Sequence, residues 1–416
     1  MLASFKERFR AIDDWIYERI KRKRCRILFV VCDGNGFTSQ APVIQILKNY
    51  KDIDTYVTTD KDFLPKDITF LSDSDSQLFS ELYVQRKKAL HLKWDMYVNT
   101  HLNPFHPKRH ALKVFMQHGP AYGNTGTQLP NAQGHDVFLG ISCAHKRWFE
   151  TLDPGIFDKK RAFFPVGSPK VDALVNGTYE REKVLSTLGL PDRPTILITS
   201  HWAPHSTLSI LGSQVLEEVS RSFPEYNVIQ TGHPYNWTPN VNVDPAWTDQ
   251  MIKELKNSEE KNSNAFFIYN LPVELLLSIS DLLIADQSSV MTTYSLLDRP
   301  IVFFDNPESR KNNIGKKQTM DLYIGASHTF PDMSKLKSAC IEAINNPDKY
   351  KSGRALLRDA FYVNLGSSSS VAAEVLSKIG GVYSVKSRKW PNVVEFSRQM
   401  TTAICGQPRE KVEISE

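Results

Sequence analysis

Ile27-Leu28-Phe29-Val30-Val31-Cys32-Asp33-Gly34-Asn35-Gly36 is a continuous apolar run of strand length that ends at an acidic residue and two glycines. A strand with one face in water alternates apolar and polar residues, whereas an unbroken run is what a parallel sheet covered on both faces requires. Pro42-Val43-Ile44-Gln45-Ile46-Leu47 follows and predicts a helix with Pro42 in its first turn, where the missing N–H costs nothing. Strand, glycine turn and helix together open a Rossmann-like unit. The full GxGxxG fingerprint is absent, so nothing points to NAD.

The same texture continues outward. Met96–Val98, Lys113–Met116, Val137–Ile141 and Ala162–Val166 are further short apolar runs with the character of buried parallel strands. Near residue 176 the pattern breaks at Asn176-Gly177-Thr178 and then restarts after a charged helix, Glu180–Leu188. Strands are expected at Thr195–Thr199, Tyr226–Gln230, Phe266–Tyr269, Asp281–Ala285 and Ile301–Phe304, with helices at Leu208–Arg221 and Val273–Ile279. Met251–Asn264 is polar after its start and reads as a helix end plus a surface loop. The expected organisation is α/β: two facing Rossmann-like domains with parallel sheets and an interdomain cleft, where ligands usually sit. The boundaries fall at 1–26 for a basic N-terminal helix, 27–176 and 177–380 for the two domains, and 381–416 for a C-terminal tail.

Composition narrows the class. The chain has 416 residues, enough for two or three domains and for large cores without disulfides. Its net charge is +5, and residues 1–26 alone, with nine Lys/Arg and four Asp/Glu, account for it. The rest is neutral overall, which argues against a nucleic-acid partner. Leu2, Phe5, Phe9, Ile12, Ile16 and Ile20 form one apolar stripe among these positive charges. Two readings fit residues 2–24: a helix lying on an anionic membrane surface, or one packed on the domain behind it. The five cysteines are scattered and form no CxxC pair, which predicts reduced thiols and a cytoplasmic location. Neither a membrane span nor a signal peptide is evident.

Four segments could carry chemistry. Asp281–Ala285 delivers Asp286 to a strand's end, and Ser288 and Ser289 then sit where a helix begins. A helix N-terminus with two hydroxyls suits a pyrophosphate; the plainer reading is that these residues only cap the helix. His118, in Gln117-His118-Gly119-Pro120, lies just past a buried strand, where an imidazole can act as a base or simply bond the backbone. His233, in Gly232-His233-Pro234, has the same two readings toward a phosphate. Gly167-Ser168-Pro169-Lys170-Val171-Asp172 is ordinary turn chemistry near the domain boundary. His101, His106 and His110 match no zinc spacing and read as solvated loop histidines; no metal is expected.

Taken in order, these segments resemble the CDP-glycerol glycerophosphotransferase family, whose members build teichoic-acid and capsule-type polymers. The residues that carry the resemblance are Gln117-His118-Gly119-Pro120, Gly167–Asp172, Ser200-His201-Trp202-Ala203-Pro204, His233-Pro234, Asp281–Ser289 and Arg299-Pro300-Ile301. The family's Thr after His-Gly is missing here, Gln287 stands where the family has Tyr, and Thr292-Thr293-Tyr294 stands for Phe-Asp-Tyr.

The resemblance implies a GT-B fold. It implies His118 as the base, and His233, Asp286, Ser288, Ser289 and Ser200 as donor-phosphate contacts. Gly119, Lys170 and Asp172 would be neighbours in the cleft. It also implies a nucleotide-activated donor of the CDP-glycerol type, and a lipid-linked or oligosaccharide acceptor at the inner face of the plasma membrane. No resident cofactor is expected. Other outcomes of the same architecture are a nucleotide-sugar glycosyltransferase, a sugar-nucleotide epimerase, or a non-catalytic nucleotide-binding protein.

Overall fold

The computed structural model describes residues 12, 24–60, 68, 71–101, 111–120, 132–157, 160–237, 243–307, 317–383 and 385–406. Apart from Ile12, the N-terminal stripe therefore lies outside the described residues, as do His106 and His110. The chain divides into two units. Unit 1 comprises residues 1–118, 126–170 and 367–416; unit 2 comprises 119–125 and 171–366.

Unit 1 carries a parallel sheet of six strands: β1 Cys25–Val31, β2 Ile53–Thr59, β3 Met96–Asn99, β4 Leu112–Met116, β5 Val137–Gly140 and β6 Ala162–Pro165. Their spatial order is β2-β1-β3-β4-β5-β6. The unbroken apolar run of β1 is explained by burial on both faces. Ile27, Phe29 and Val31 enter one core with Phe37, Ala41 and Ile44, while Leu28 and Val30 enter another with Trp94 and Tyr97. Strand β2 escaped the sequence reading. It is an edge strand whose Asp54, Thr55, Tyr56 and Thr58 interrupt the apolar pattern.

The helix after β1 begins earlier than its proline suggested. It spans Gly34–Leu47, is capped by Asp33, and contains Pro42 in its interior. Gly34-Asn35-Gly36 is thus the first helical turn. A Cβ on Gly36 would lie 2.4 Å from Thr100 Oγ1, so the glycine lets the helix start approach the end of β3. Gly36→Ala should lower stability by about 1–3 kcal/mol, the usual cost of overpacking. Turnover should fall with it, because Thr100 also holds His118. A melting temperature equal to the parent's would refute the crowding.

Unit 2 carries a second parallel sheet: β7 Thr195–Ile198, β8 Asn227–Gln230, β9 Ala265–Phe267, β10 Leu282–Ala285, β11 Ile301–Phe304 and β12 His328–Phe330. The order is β12-β11-β10-β7-β8-β9. The three-residue edge strand β12 is too short to register as a pattern. Two helix readings also change. Leu208–Arg221 is two helices, Thr207–Leu211 and Gln214–Ser222, broken at Gly212 with φ of 62°. Met251–Asn264 belongs mostly to one helix, Pro245–Lys261, which buries only a thin stripe at Thr248, Met251, Leu255 and Ser258.

The expected domain limits need correction at the C-terminus. Unit 2 ends at Gly366, not near 380, and residues 381–416 are not simply a tail. Helix Ser368–Ile379 packs on helix Gly34–Leu47 through Ala372, Leu376 and Ile379. Helix Trp390–Cys405 lies along β6. There the Phe163 N–H donates to Ser397 Oγ at 3.2 Å and Thr401 Oγ donates to the Phe163 carbonyl at 3.1 Å. An edge strand's free backbone groups are thereby satisfied by side chains of a helix. Cys143 and Cys405 are joined by a disulfide, contrary to the expectation of five reduced thiols; Cys25, Cys32 and Cys340 remain thiols. Sequence separation hid the pair, since the bonded residues lie 262 apart. No described helix is long and apolar enough to cross a membrane.

Candidate active site

In an open parallel sheet, ligands bind beyond the carboxyl ends of the strands where the strand order reverses. The reversal in unit 1 lies between β1 and β3, and in unit 2 between β7 and β10. The chemistry-bearing side chains gather at both places.

In unit 1, Asp33 follows β1, Thr100 and His101 follow β3, and His118 follows β4. His118 Nδ1 lies 2.7 Å from the Thr100 carbonyl. A carbonyl only accepts, so Nδ1 carries the hydrogen and Nε2 keeps its lone pair. The His101 ring stacks on the His118 ring, with centroids 4.4 Å apart and 21° between planes. His101 Nε2 is 3.4 Å from Asp33 Oδ2, and His101 Nδ1 is 3.3 Å from Thr100 Oγ1. Asp33 Oδ1 meanwhile accepts from the Gly36 N–H at 2.7 Å. The pKa of His118 is pushed down to about 4. Burial is the main cause and His101 adds to it; Asp33 and the Thr100 carbonyl oppose it, while Lys170 lowers it further. The ring is therefore neutral at ordinary pH, with a basic nitrogen available.

His101 is thus not the solvated loop histidine that its surroundings of prolines suggested. Asp33 and His101 were missed as site residues, although each directly follows a buried strand, and that position was the available signal. Lys170 reaches this cluster, with Nζ 3.2 Å from Asn35 Oδ1. Asp172 starts the short helix Asp172–Val175 in the other unit. Gly119 follows His118 directly, with open space where a Cβ would stand.

In unit 2, Asp286 is 3% exposed at the end of β10. The Thr207 N–H donates to it at 2.7 Å, the His201 N–H at 2.9 Å and the Ser200 hydroxyl at 3.1 Å. Ser200 Oγ also accepts from the Leu208 N–H at 3.0 Å. Asp286 and Ser200 are therefore committed to folding the loop from 200 to 208. A carboxylate there would repel a phosphate, so these bonds suit Asp286 to holding the loop.

Other polar groups lie at the same switch point. His233 Nδ1 accepts from the Tyr235 N–H at 3.1 Å, so its neutral tautomer carries the hydrogen on Nε2. His201 is arranged alike, with Nδ1 accepting from the Ala203 N–H at 3.1 Å. Burial lowers the His201 pKa, with Asp286 opposing and His205 adding to the effect. The two rings lie 5.8 Å apart, and with Nδ1 accepting, each carries its hydrogen on Nε2. Ser288 Oγ is buried and bonds to nothing among the described residues, at the start of helix Ser289–Tyr294. Ser289 is half-buried in the same first turn. Two imidazole N–H groups and serine hydroxyls at a switch point can bind an anion without any formal positive charge. His201 is the addition here that sequence reasoning did not assign a role.

A family model described as CDP-Glycerol:Poly(glycerophosphate) glycerophosphotransferase matches residues 111–370, more than half of the chain. No curated protein sequence matches it. Among solved structures, the wall teichoic acid polymerase TagF is similar at 16% identity and a TM-score of 0.60, covering 91% of this chain and 98% of that one. A putative UDP-N-acetylglucosamine 2-epimerase from Listeria monocytogenes is similar at 12% identity and a TM-score of 0.55, covering 86% and 96%. These likenesses are of fold, the α/β GT-B type expected from the sequence.

Proposed function

The chain belongs to the CDP-Glycerol:Poly(glycerophosphate) glycerophosphotransferase family, and on that premise we propose that it transfers glycerol phosphate from CDP-glycerol to a hydroxyl of a lipid-linked or glycan acceptor in cell-surface polymer synthesis. The observation that carries this reading is the tautomer of His118, whose Nε2 lone pair is left for an acceptor proton by the bond from Nδ1 to Thr100. In the proposed step the acceptor O–H bond breaks and its proton passes to His118 Nε2. The acceptor oxygen bonds to the glycerol-bearing phosphorus, and the bond from that phosphorus to the bridging oxygen breaks. CMP leaves with the electron pair. His233, His201, Ser288 and Ser289 donate to the phosphate oxygens as that charge develops. No resident cofactor is assigned, because the donor arrives already activated. The reaction is placed at the inner face of the plasma membrane. The basic, amphipathic pattern of residues 2–24 supports that placement.

Thermal melting against CDP-glycerol, CDP-ribitol, CMP, UDP-sugars and GDP-sugars tests the donor. A cytidine nucleotide at about 100 times its dissociation constant should stabilise by about 2.7 kcal/mol. The shift should shrink sharply in Ser288→Ala/Ser289→Ala. A shift with UDP- or GDP-sugars alone would move the activity to sugar transfer or epimerisation, and no shift with any nucleotide would make the non-catalytic reading the leading one.

A further inference from the structure

The unit 1 cluster contains two groups to which the proposed reaction gives no task. Asp33 and His101 also lie outside residues 111–370, the span that the family model matches. Yet they are brought to His118 from the ends of two other strands. We propose that Asp33 and His101 are positioning residues for His118: the His101 ring holds the plane of the His118 ring, and the Asp33 carboxylate offsets the charge that His118 gains when it takes the acceptor proton. This rests on His118 being the base.

Five contacts fix the arrangement. The Thr100 carbonyl holds one edge of the His118 ring at 2.7 Å, and the stacked His101 ring covers one of its faces. His101 is in turn held at both nitrogens, by Asp33 Oδ2 at 3.4 Å and by Thr100 Oγ1 at 3.3 Å. Asp33 cannot drift, because its other oxygen caps helix Gly34–Leu47. Among the described residues no hydrogen bond is made to His118 Nε2. The charged and titratable groups acting on it are Asp33 from the helix cap, His101 from the end of β3 and Lys170 from the segment after β6. Among the described residues Asp33 is the anion that acts on it. A neutral, buried imidazole accepts a proton reluctantly, and a carboxylate across one intervening ring favours the imidazolium as it forms.

Two variants with opposite signatures test this. Asp33→Asn keeps an oxygen for the helix cap and removes only the charge. It should lower kcat about 10- to 100-fold with little change in KM for CDP-glycerol, and should move the acid limb of the pH–rate profile to lower pH. His101→Phe keeps a stacking ring but removes its nitrogens. It should move the limb to higher pH, because His101 now disfavours the charged form of His118. The same opposed shifts should appear in the titration of the His118 ring followed by 15N NMR in each folded variant. A purely structural role moves neither, and an unchanged limb and titration in both variants would overturn the proposal. Should Asp33→Asn fail to fold, Asp33→Ser, which keeps a cap oxygen without the charge, replaces it in the same titration. Full activity of His118→Ala would instead refute the base assignment, while the NMR titration would still report on the positioning.

Discussion

His118→Ala should reduce CMP release from CDP-glycerol by about 10²–10⁴-fold, the range that a positioned general base contributes, while the thermal shift produced by CDP-glycerol survives. The expectation rests on a division of labour. His118 belongs to unit 1, where its Nδ1 is tied to the Thr100 carbonyl. The groups proposed to face phosphate, His201, His233, Ser288 and Ser289, all belong to unit 2. Removing the base therefore leaves the donor cradle whole. His118→Gln is a useful companion, since its amide can still donate to Thr100 but offers no base of comparable strength. Both variants should be equally slow. The activity of the parent should persist well below the usual imidazole range, because His118 is active when neutral and its pKa is pushed down to about 4. Full turnover in His118→Ala would end the assignment, and loss of nucleotide binding in the same variant would show that His118 contacts the donor.

Asp286→Ala should be the most damaging single substitution in unit 2. Its carboxylate accepts from the Ser200 hydroxyl and from the backbone N–H groups of His201 and Thr207. Each buried donor left without a partner costs about 1–3 kcal/mol, so a loss of roughly 3–5 kcal/mol is expected. That is a large part of the ~5–15 kcal/mol that holds a domain together. Differential scanning calorimetry should show a fall of roughly 10 °C for a unit of this size. Nucleotide binding should be lost even below the transition, because His201 and His233 depend on the same loop; the His233 N–H donates to the Ser200 carbonyl at 2.9 Å. Asp286→Asn should fall between the two, since one oxygen remains an acceptor while the new NH2 faces donors. If Asp286 instead touched the donor directly, its removal would relieve repulsion with phosphate. Unchanged melting with tighter nucleotide binding would establish that alternative.

Much of the fold was legible in residue order alone. Unbroken apolar runs such as Ile27–Val31 and Leu282–Ala285 announce strands buried on both faces, because only a covered sheet makes every residue apolar. The edge strands β2 and β12 were not legible, since one is interrupted by polar residues and the other is three residues long. Pro42 misled because proline favours a helix start by lacking an N–H, yet here helix Gly34–Leu47 tolerates it in the interior.

The sequence by itself determined where strands end, and with that the positions of His118, His233, Asp286 and Ser288 at their carboxyl ends. Only the tertiary structure decided which ends meet. Burial patterns record that a residue is covered, but not by what; the partner follows from strand order and crossovers that no local pattern encodes. So Asp33, His101 and His118 converge from three strands, Asp286 gathers the donors of the loop from 200 to 208, and Cys405 returns to Cys143 on a helix that closes the edge of the first sheet.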